Sequence, residues 1–202
     1  MNFKRCWTKA NVKAVKDVFD KLADDPHKAL ILTMLDNQED NIWLVLSFLA
    51  QTTKPKEYLE IGVRRGFSMA VVAQRAKSCN LTGIDLWIPV YGGADNPGPD
   101  FVREQISLTG HQGEVTLITG DSKKLLPEID KQFDLILVDG DHSTEGVYQD
   151  IILSHKLLAV GGYIVVDDLD YGPTFTAWER AITELSVTCE RIGEKVGVIS
   201  GG

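Results

Sequence analysis

Short apolar runs alternate with longer amphipathic stretches from about residue 55 onward. Runs such as Glu57–Ile61 and Phe133–Asp139 are short, largely apolar and end in Gly or Asp, which is typical of buried strands. Stretches such as Thr144–Leu158 carry apolar residues at helical spacing. Strands that alternate with helices predict right-handed crossovers and a parallel sheet covered by helices on both faces.

The two ends of the chain follow different patterns. Val187–Ile192 and Lys195–Ser200 are strand-like runs joined by a tight turn, which predicts a hairpin. The fold class predicted is therefore α/β: a Rossmann-like doubly wound sheet, mostly parallel, with a C-terminal antiparallel hairpin. Residues 1–54 are helical in pattern and predict an N-terminal helical flank or lid, whereas residues 55–202 form the ligand-binding domain.

Charge and composition exclude several classes of protein. The 202 residues include 21 basic and 29 acidic side chains, a net charge of -8, which argues against a broad nucleic-acid surface or a basic membrane-binding face. The apolar run Ile42–Ala50 is far shorter than the roughly 20 residues of a membrane span. Cys6, Cys79 and Cys189 are dispersed, so a reducing cytoplasm is the simpler expectation than disulfides or zinc.

The predicted strands end in residues suited to ligand binding. Ligands bind beyond the carboxyl ends of strands in an open parallel sheet. Gly62 and Gly66 follow the first strand and let the backbone approach a ligand, and Asp85 closes the second strand, where its carboxylate can bind both ribose hydroxyls. Arg64 stands where the dinucleotide fingerprint has its middle glycine, which weakens a nicotinamide interpretation.

The fourth and fifth strands end in carboxylates. Asp139 closes the fourth strand, and Asp167 and Asp168 close the fifth. Adjacent strand ends lie about 5 Å apart, so the three carboxylates can converge on one hard cation such as Mg²⁺. His142 follows Asp139 closely, and an imidazole that titrates near neutrality suits proton removal from a hydroxyl.

Several motifs together resemble those of a known enzyme class. The motifs are Glu60–Gly66, Gly83–Trp87, Gly120–Ser122, Val138–Ser143 and Gly161–Asp168. They resemble class I S-adenosylmethionine-dependent methyltransferases, in particular the small O-methyltransferases that include the macrolide sugar and cephalosporin-hydroxylase-associated groups, and more distantly the catechol type. Asp139–Asp150 is the most specific part.

The resemblance implies a role for each matching residue. The residues implied to bind S-adenosylmethionine are Glu60, Gly62, Gly66, Ser68, Asp85, Trp87, Asp121, Ser122 and Asp139. Among these, Gly62 and Gly66 approach the methionine part, with Glu60 near its amino group. Asp85 holds the ribose. Trp87, Asp121 and Ser122 surround the adenine, although Trp87 as a core aromatic and Ser122 as a helix N-cap remain open alternatives. The resemblance also implies Asp139, Asp167 and Asp168 as metal ligands and His142 as the general base.

The expected function is metal-assisted O-methylation of a hydroxyl on a small molecule, either a sugar or a catechol-like diol. Two alternatives remain: a non-catalytic module that keeps the S-adenosylmethionine fold, and a nicotinamide-dependent oxidoreductase. The N-terminal helices and the loop Ile88–Asp100 are expected to form the substrate wall. Because the chain is short, a neighbouring subunit of a homo-oligomer can complete that pocket.

Overall fold

The computed structural model describes residues 1–91 and 94–202. Within them, seven strands form one sheet: β1 Glu57–Ile61, β2 Asn80–Asp85, β3 Val115–Thr119, β4 Phe133–Val138, β5 Leu158–Val166, β6 Thr188–Ile192 and β7 Val196–Ser200. Their order across the sheet is β3-β2-β1-β4-β5-β7-β6. A separate two-residue pairing joins Val90–Tyr91 to Ala94–Asp95.

Strands β1 to β5 pair in parallel, and the terminal strands β6 and β7 are antiparallel. The hairpin turns at Gly193, whose φ of +60° suits a residue without a side chain. These observations confirm the predicted fold class. All five parallel strands therefore deliver their carboxyl ends to one edge of the sheet.

Helices cover both faces of the sheet. Their bounds are α1 Lys9–Phe19, α2 Pro26–Asp36, α3 Ile42–Thr53, α4 Phe67–Arg75, α5 Pro99–Leu108, α6 Ser122–Leu125, α7 Thr144–Lys156 and α8 Gly172–Leu185. Short 3₁₀ turns occupy Phe3–Trp7 and Leu126–Glu128. Among these described segments, no helix combines the length and apolarity required to cross a bilayer.

Two clusters of buried side chains follow the period of two along the strands. Tyr58, Leu135 and Val165 point to the face shared by α1, α3 and α4, whereas Leu59 and Ile136 point to the face covered by α7 and α8. The N-terminal helices therefore share one core with the sheet.

The structure departs from the prediction in the bounds of one helix. The helix predicted to end at Leu158 ends at Lys156, because Leu158 already pairs with Phe133 and begins β5. After β3, the chain forms a single α-turn followed by a 3₁₀ turn, because Pro127 cannot donate a helical hydrogen bond. Gly92 and Gly93 of the predicted substrate-wall loop lie outside the described residues.

Candidate active site at the carboxyl edge of the sheet

The carboxyl ends of the parallel strands open into a cavity of about 480 Å³. The predicted site residues that line it are Gly62, Ser68, Asp85, Asp121, Ser122, Asp139, His142, Asp167 and Asp168. Its opposite wall comes from α2 and α3 and consists of His27, Leu30, Ile31, Met34, Ile42 and Trp43. Glu60, Gly66 and Trp87 are not among the described lining residues.

Gly62 makes the first turn of the site. Its N–H donates to the Ile84 carbonyl at 2.9 Å, and its φ is +87°. A Cβ at this position would overlap the backbone carbonyl of Asp139 and lie 2.7 Å from the Gly140 Cα. The loop after β1 thus packs directly on the backbone that follows β4, and only glycine fits there.

Asp85 is held by backbone donors on both of its carboxylate oxygens. Oδ2 accepts the N–H of Arg64 at 2.7 Å, and Oδ1 accepts the N–H of Trp87 at 2.6 Å. Oδ1 also accepts the side-chain amide of Asn96 at 3.4 Å, whereas Oδ2 keeps a further lone pair for a ligand hydroxyl. Arg64 itself has a φ of +51°, so it adopts the left-handed conformation that the fingerprint glycine would supply.

Asp121 and Ser122 stand at the end of β3. Asp121 caps α6 by accepting the N–H of Lys123 at 3.1 Å. The Ser122 hydroxyl donates to Oδ1 of the fully buried Asp150 at 2.6 Å. Burial raises the pKa of Asp150 to about 6, and the Ser122 hydrogen bond only partly offsets this effect. A hydroxyl that lines the cavity is therefore tied to a buried acid that sequence reasoning did not single out.

Asp139, His142 and Asp168 form the one group of potential metal ligands found among the described residues. One donor atom from each lies within 4.8 Å of the others. Nε2 of His142 is 3.1 Å from Asp168 Oδ2 and 3.6 Å from Asp139 Oδ1. The hydrogen bond from His142 lowers the pKa of Asp168, whereas burial raises the pKa of Asp139.

Asp167 lines the cavity beside this cluster without being a member of it. Burial raises its pKa well above the usual range, and the charges of Asp139 and Asp168 raise it further. The three side chains whose donor atoms lie together are therefore Asp139, His142 and Asp168. The resemblance implies Asp167 where this group has His142. The assignment of ligands stays a prediction.

Glu60 and Trp87 lie next to the cavity in hydrogen-bonded or apolar surroundings. Glu60 is fully buried and accepts hydrogen bonds from Tyr58 at 2.7 Å and from Ser68 at 2.5 Å. Burial raises its pKa to about 8, against the lowering effect of both hydroxyls. Trp87 packs against the core cluster, and Leu86 lines the cavity in its place.

The helical wall contains residues that sequence reasoning did not name individually. Leu30, Ile31 and Met34 repeat at helical spacing in α2, a signal that predicts a packed face without indicating a ligand. Asp25 caps α2 and also forms a buried ion pair with Arg65 of the glycine loop. Only the tertiary structure reveals this link between the wall and the loop.

A search of protein-family models matches residues 59–169 to a methyltransferase domain. The chain belongs to this methyltransferase family. The matched segment runs from β1 to the residues just after β5, so it contains the glycine loop, Asp85 and the Asp139 cluster. Family membership favours the methyltransferase interpretation over the nicotinamide alternative.

Curated relatives have modest sequence similarity. An uncharacterised protein of Acanthamoeba polyphaga mimivirus is 33% identical over 131 residues, which cover 61% of this chain and 57% of the relative. A caffeoyl-CoA O-methyltransferase of Stellaria longipes is 25% identical over 147 residues, covering 69% and 57%. The chain thus spans little more than half the length of these relatives.

Solved structures confirm the fold. The O-methyltransferase TomG of Streptomyces achromogenes, solved in complex with S-adenosylmethionine, superposes with a TM-score of 0.63 at 16% identity and covers 100% of both chains. At this level of identity the likeness establishes a common architecture, and the chemistry is argued separately from the residues of this chain.

Proposed function

We propose that this protein is an S-adenosylmethionine-dependent O-methyltransferase that methylates a hydroxyl of a small molecule with the help of a divalent cation. One observation carries the proposal. The Asp139–His142–Asp168 cluster and the ribose-type carboxylate Asp85 line the same cavity. A proton-accepting group and a nucleoside-binding group therefore share one enclosed space.

The sheet side of the cavity suits S-adenosylmethionine. Asp85 is oriented by two backbone donors toward the cavity, and the loop at Gly62 brings backbone close to a ligand. Ser68 and Ser122 add hydroxyl groups at the two sides of this region. Bound S-adenosylmethionine supplies a methyl group on a sulfonium, and S-adenosylhomocysteine is the leaving group, a neutral thioether.

The donor set of the cluster suits a divalent cation. The carboxylates of Asp139 and Asp168 converge there and would hold the cation, because Mg²⁺ prefers carboxylate oxygens, which leaves the imidazole of His142 for proton transfer. Asp167 lies beside them as a further acid. Such a cation would lower the pKa of an acceptor hydroxyl.

His142 is proposed to take the proton from the acceptor. Its Nε2 lies 3.1 Å from Asp168, so the carboxylate orients the ring and stabilises the imidazolium formed by proton uptake. The cavity walls align the acceptor oxygen with the methyl donor, and such alignment can contribute roughly 7–11 kcal/mol in favourable cases.

The helical wall favours a catechol-like diol over a sugar. Leu30, Ile31, Met34 and Trp43 offer apolar contacts. A sugar carries several hydroxyl groups, each of which requires a polar partner when it leaves water. Among the described lining residues from α2 and α3, the imidazole of His27 and the indole N–H of Trp43 are the side-chain groups suited to such a hydrogen bond, and the indole can only donate.

Two measurements test the proposal. Calorimetry with S-adenosylhomocysteine and with NAD⁺ should show binding of the first alone. Transfer of a labelled methyl group to catechol should occur with Mg²⁺ and fall with excess chelator, whereas resorcinol, whose hydroxyls are not vicinal, should react poorly.

Asp168→Asn tests the role of the Asp139–His142–Asp168 cluster in methyl transfer. We expect methyl transfer to fall by about 100-fold or more, because the general base loses its carboxylate partner. Binding of S-adenosylhomocysteine should stay within a few-fold of the wild type. Asp170→Asn is the matched control, because Asp170 is exposed and pairs with Lys195 at 3.6 Å. Cofactor binding with no turnover of diols or sugars would support the non-catalytic module instead.

A further inference from the structure

Helix α2 forms much of the apolar wall but is sparsely anchored. Among its described side chains, Ile31 and Leu35 are buried, whereas Leu30 is 58% exposed. The neighbouring α3 buries all of its residues from Leu44 to Ala50. Because a helix with few buried contacts opens easily, the position of α2 depends strongly on any remaining tie to the rest of the fold.

One such tie is the ion pair between Asp25 and Arg65, and a second, more exposed pair joins Asp36 at the end of α2 to Lys16 of α1. The Asp25 side chain is 5% exposed and that of Arg65 is 14% exposed, so the pair is shielded from water. Asp25 belongs to the start of α2, where it also accepts the N–H of His27 at 2.8 Å. Arg65 belongs to the loop between Gly62 and Gly66 and lines the cavity.

The same carboxylate also contacts a residue of the helical wall. Nδ1 of His27 lies 3.4 Å from Asp25 Oδ1, and His27 lines the wall together with Leu30 and Ile31. Asp25 therefore contacts one residue of the cofactor loop and one residue of the acceptor wall. A shift of the loop that moves Arg65 also acts on the first turn of α2.

We propose that Asp25 and Arg65 are positioning residues that couple the acceptor wall to the cofactor loop. Binding of the cofactor fixes the loop from Gly62 to Gly66, the loop fixes Arg65, and Arg65 holds Asp25 and the first turn of α2. The acceptor pocket is then completed only after the cofactor is bound. This inference rests on the proposed function, because it assumes that S-adenosylmethionine binds this loop.

Asp25→Asn removes the charge and keeps the cap. Asn is as good an N-cap as Asp, so the hydrogen bond to the N–H of His27 survives. Asp24→Asn is the matched control, because Asp24 is fully exposed and pairs with Lys28 at 3.3 Å. The difference between the two variants therefore reports on the buried charge of Asp25, and Arg65→Gln separates its pair with Arg65 from its contact with His27.

The readout is amide hydrogen exchange across Pro26–Asp36 with and without S-adenosylhomocysteine. In the wild type and in Asp24→Asn, the ligand should slow exchange about fivefold or more, in the range of ordinary coupling between sites. In Asp25→Asn the slowing should fall below about twofold, and the ligand affinity should fall by no more than the coupling factor that is lost, because coupling between two sites is reciprocal. A purely structural pair would speed exchange equally with and without the ligand.

A double variant completes the test. Arg65→Gln alone should reproduce the loss, and Asp25→Asn with Arg65→Gln should be no worse than either single variant, because the two residues act as one unit. If S-adenosylhomocysteine binds the wild type and leaves the exchange of α2 unchanged, or if Asp25→Asn keeps the full slowing, the coupling is overturned. If S-adenosylhomocysteine does not bind the wild type, the proposed function fails instead.

Discussion

The two halves of the cavity are built by different means. On the sheet half, main-chain hydrogen bonds between strands fix each residue: the N–H of Gly62 binds the Ile84 carbonyl, and the N–H of Asp139 binds the Ile61 carbonyl, both at 2.9 Å. On the helical half, Leu30 and Met34 are positioned by side-chain packing and by the ion pair of Asp25.

The difference indicates which half is fixed and which can vary. A strand register cannot slip without moving every side chain to the opposite face, so the cofactor half is rigidly specified. Side-chain packing at a helical wall tolerates substitution far better. A conserved mode of cofactor binding with a variable acceptor pocket is therefore the expected consequence of this architecture.

The largest expected effect is at Gly62. Gly62→Ala should destabilise the protein by more than about 4 kcal/mol, because the new methyl group would overlap the Asp139 backbone. Gly98→Ala is the control, since Gly98 has the same φ of +87° but nothing within 4 Å of its Cβ position. It should lose only about 1–3 kcal/mol from backbone strain. Equal losses in urea unfolding would contradict a rigid sheet half.

A smaller effect is expected from Asp150, the buried acid that accepts the hydrogen bond of Ser122. Burial raises the pKa of Asp150 from 3.8 to about 6, so the folded protein binds the proton more tightly than the unfolded chain does. Stability therefore falls as pH rises between about 4 and 6. Asp150→Asn removes this dependence, which amounts to about 3 kcal/mol.

Thermal or urea unfolding from pH 4 to pH 7.5 measures the effect. The variant should gain stability relative to the wild type as the pH rises, and the gain should level off above the pKa of Asp150. Glu179→Gln, an exposed position on α8, should leave the pH profile unchanged. If Asp150→Asn leaves the pH dependence of stability as steep as in the wild type, Asp150 is not the group that causes it.

The sequence predicts the sheet half well, because strand ends are visible as apolar runs that stop at Gly or Asp. Asp85, Asp121, Asp139 and Asp168 all reach the cavity as expected. The pattern could not reveal that His142 rather than Asp167 joins Asp139 and Asp168, because this depends on side-chain orientation after the strand.

The helical half of the cavity is harder to predict from the sequence. The spacing of Leu30, Ile31 and Met34 predicts a buried face, and nothing local tells a core from a cavity wall. The Asp25–Arg65 pair joins residues 40 positions apart, so no short-range pattern records it. Trp87 has an aromatic side chain of the kind that stacks on adenine, but this side chain packs against the core.

The smallest expected effect is at Arg64, which is compared with its neighbour Arg65. Arg64 has a φ of +51°, which favours glycine, whereas Arg65 is not among the residues with positive φ and pairs with Asp25. Arg64→Gly should lose less stability than Arg65→Gly, because relief of backbone strain at positive φ offsets part of the loss of the side chain and of the added freedom of the unfolded chain. Arg65→Gly should lose about 3 kcal/mol, because the buried carboxylate of Asp25 loses its guanidinium partner. Urea unfolding of both variants gives the comparison, and a larger loss at Arg64 would mean that its side chain, rather than the backbone conformation it adopts, stabilises the loop.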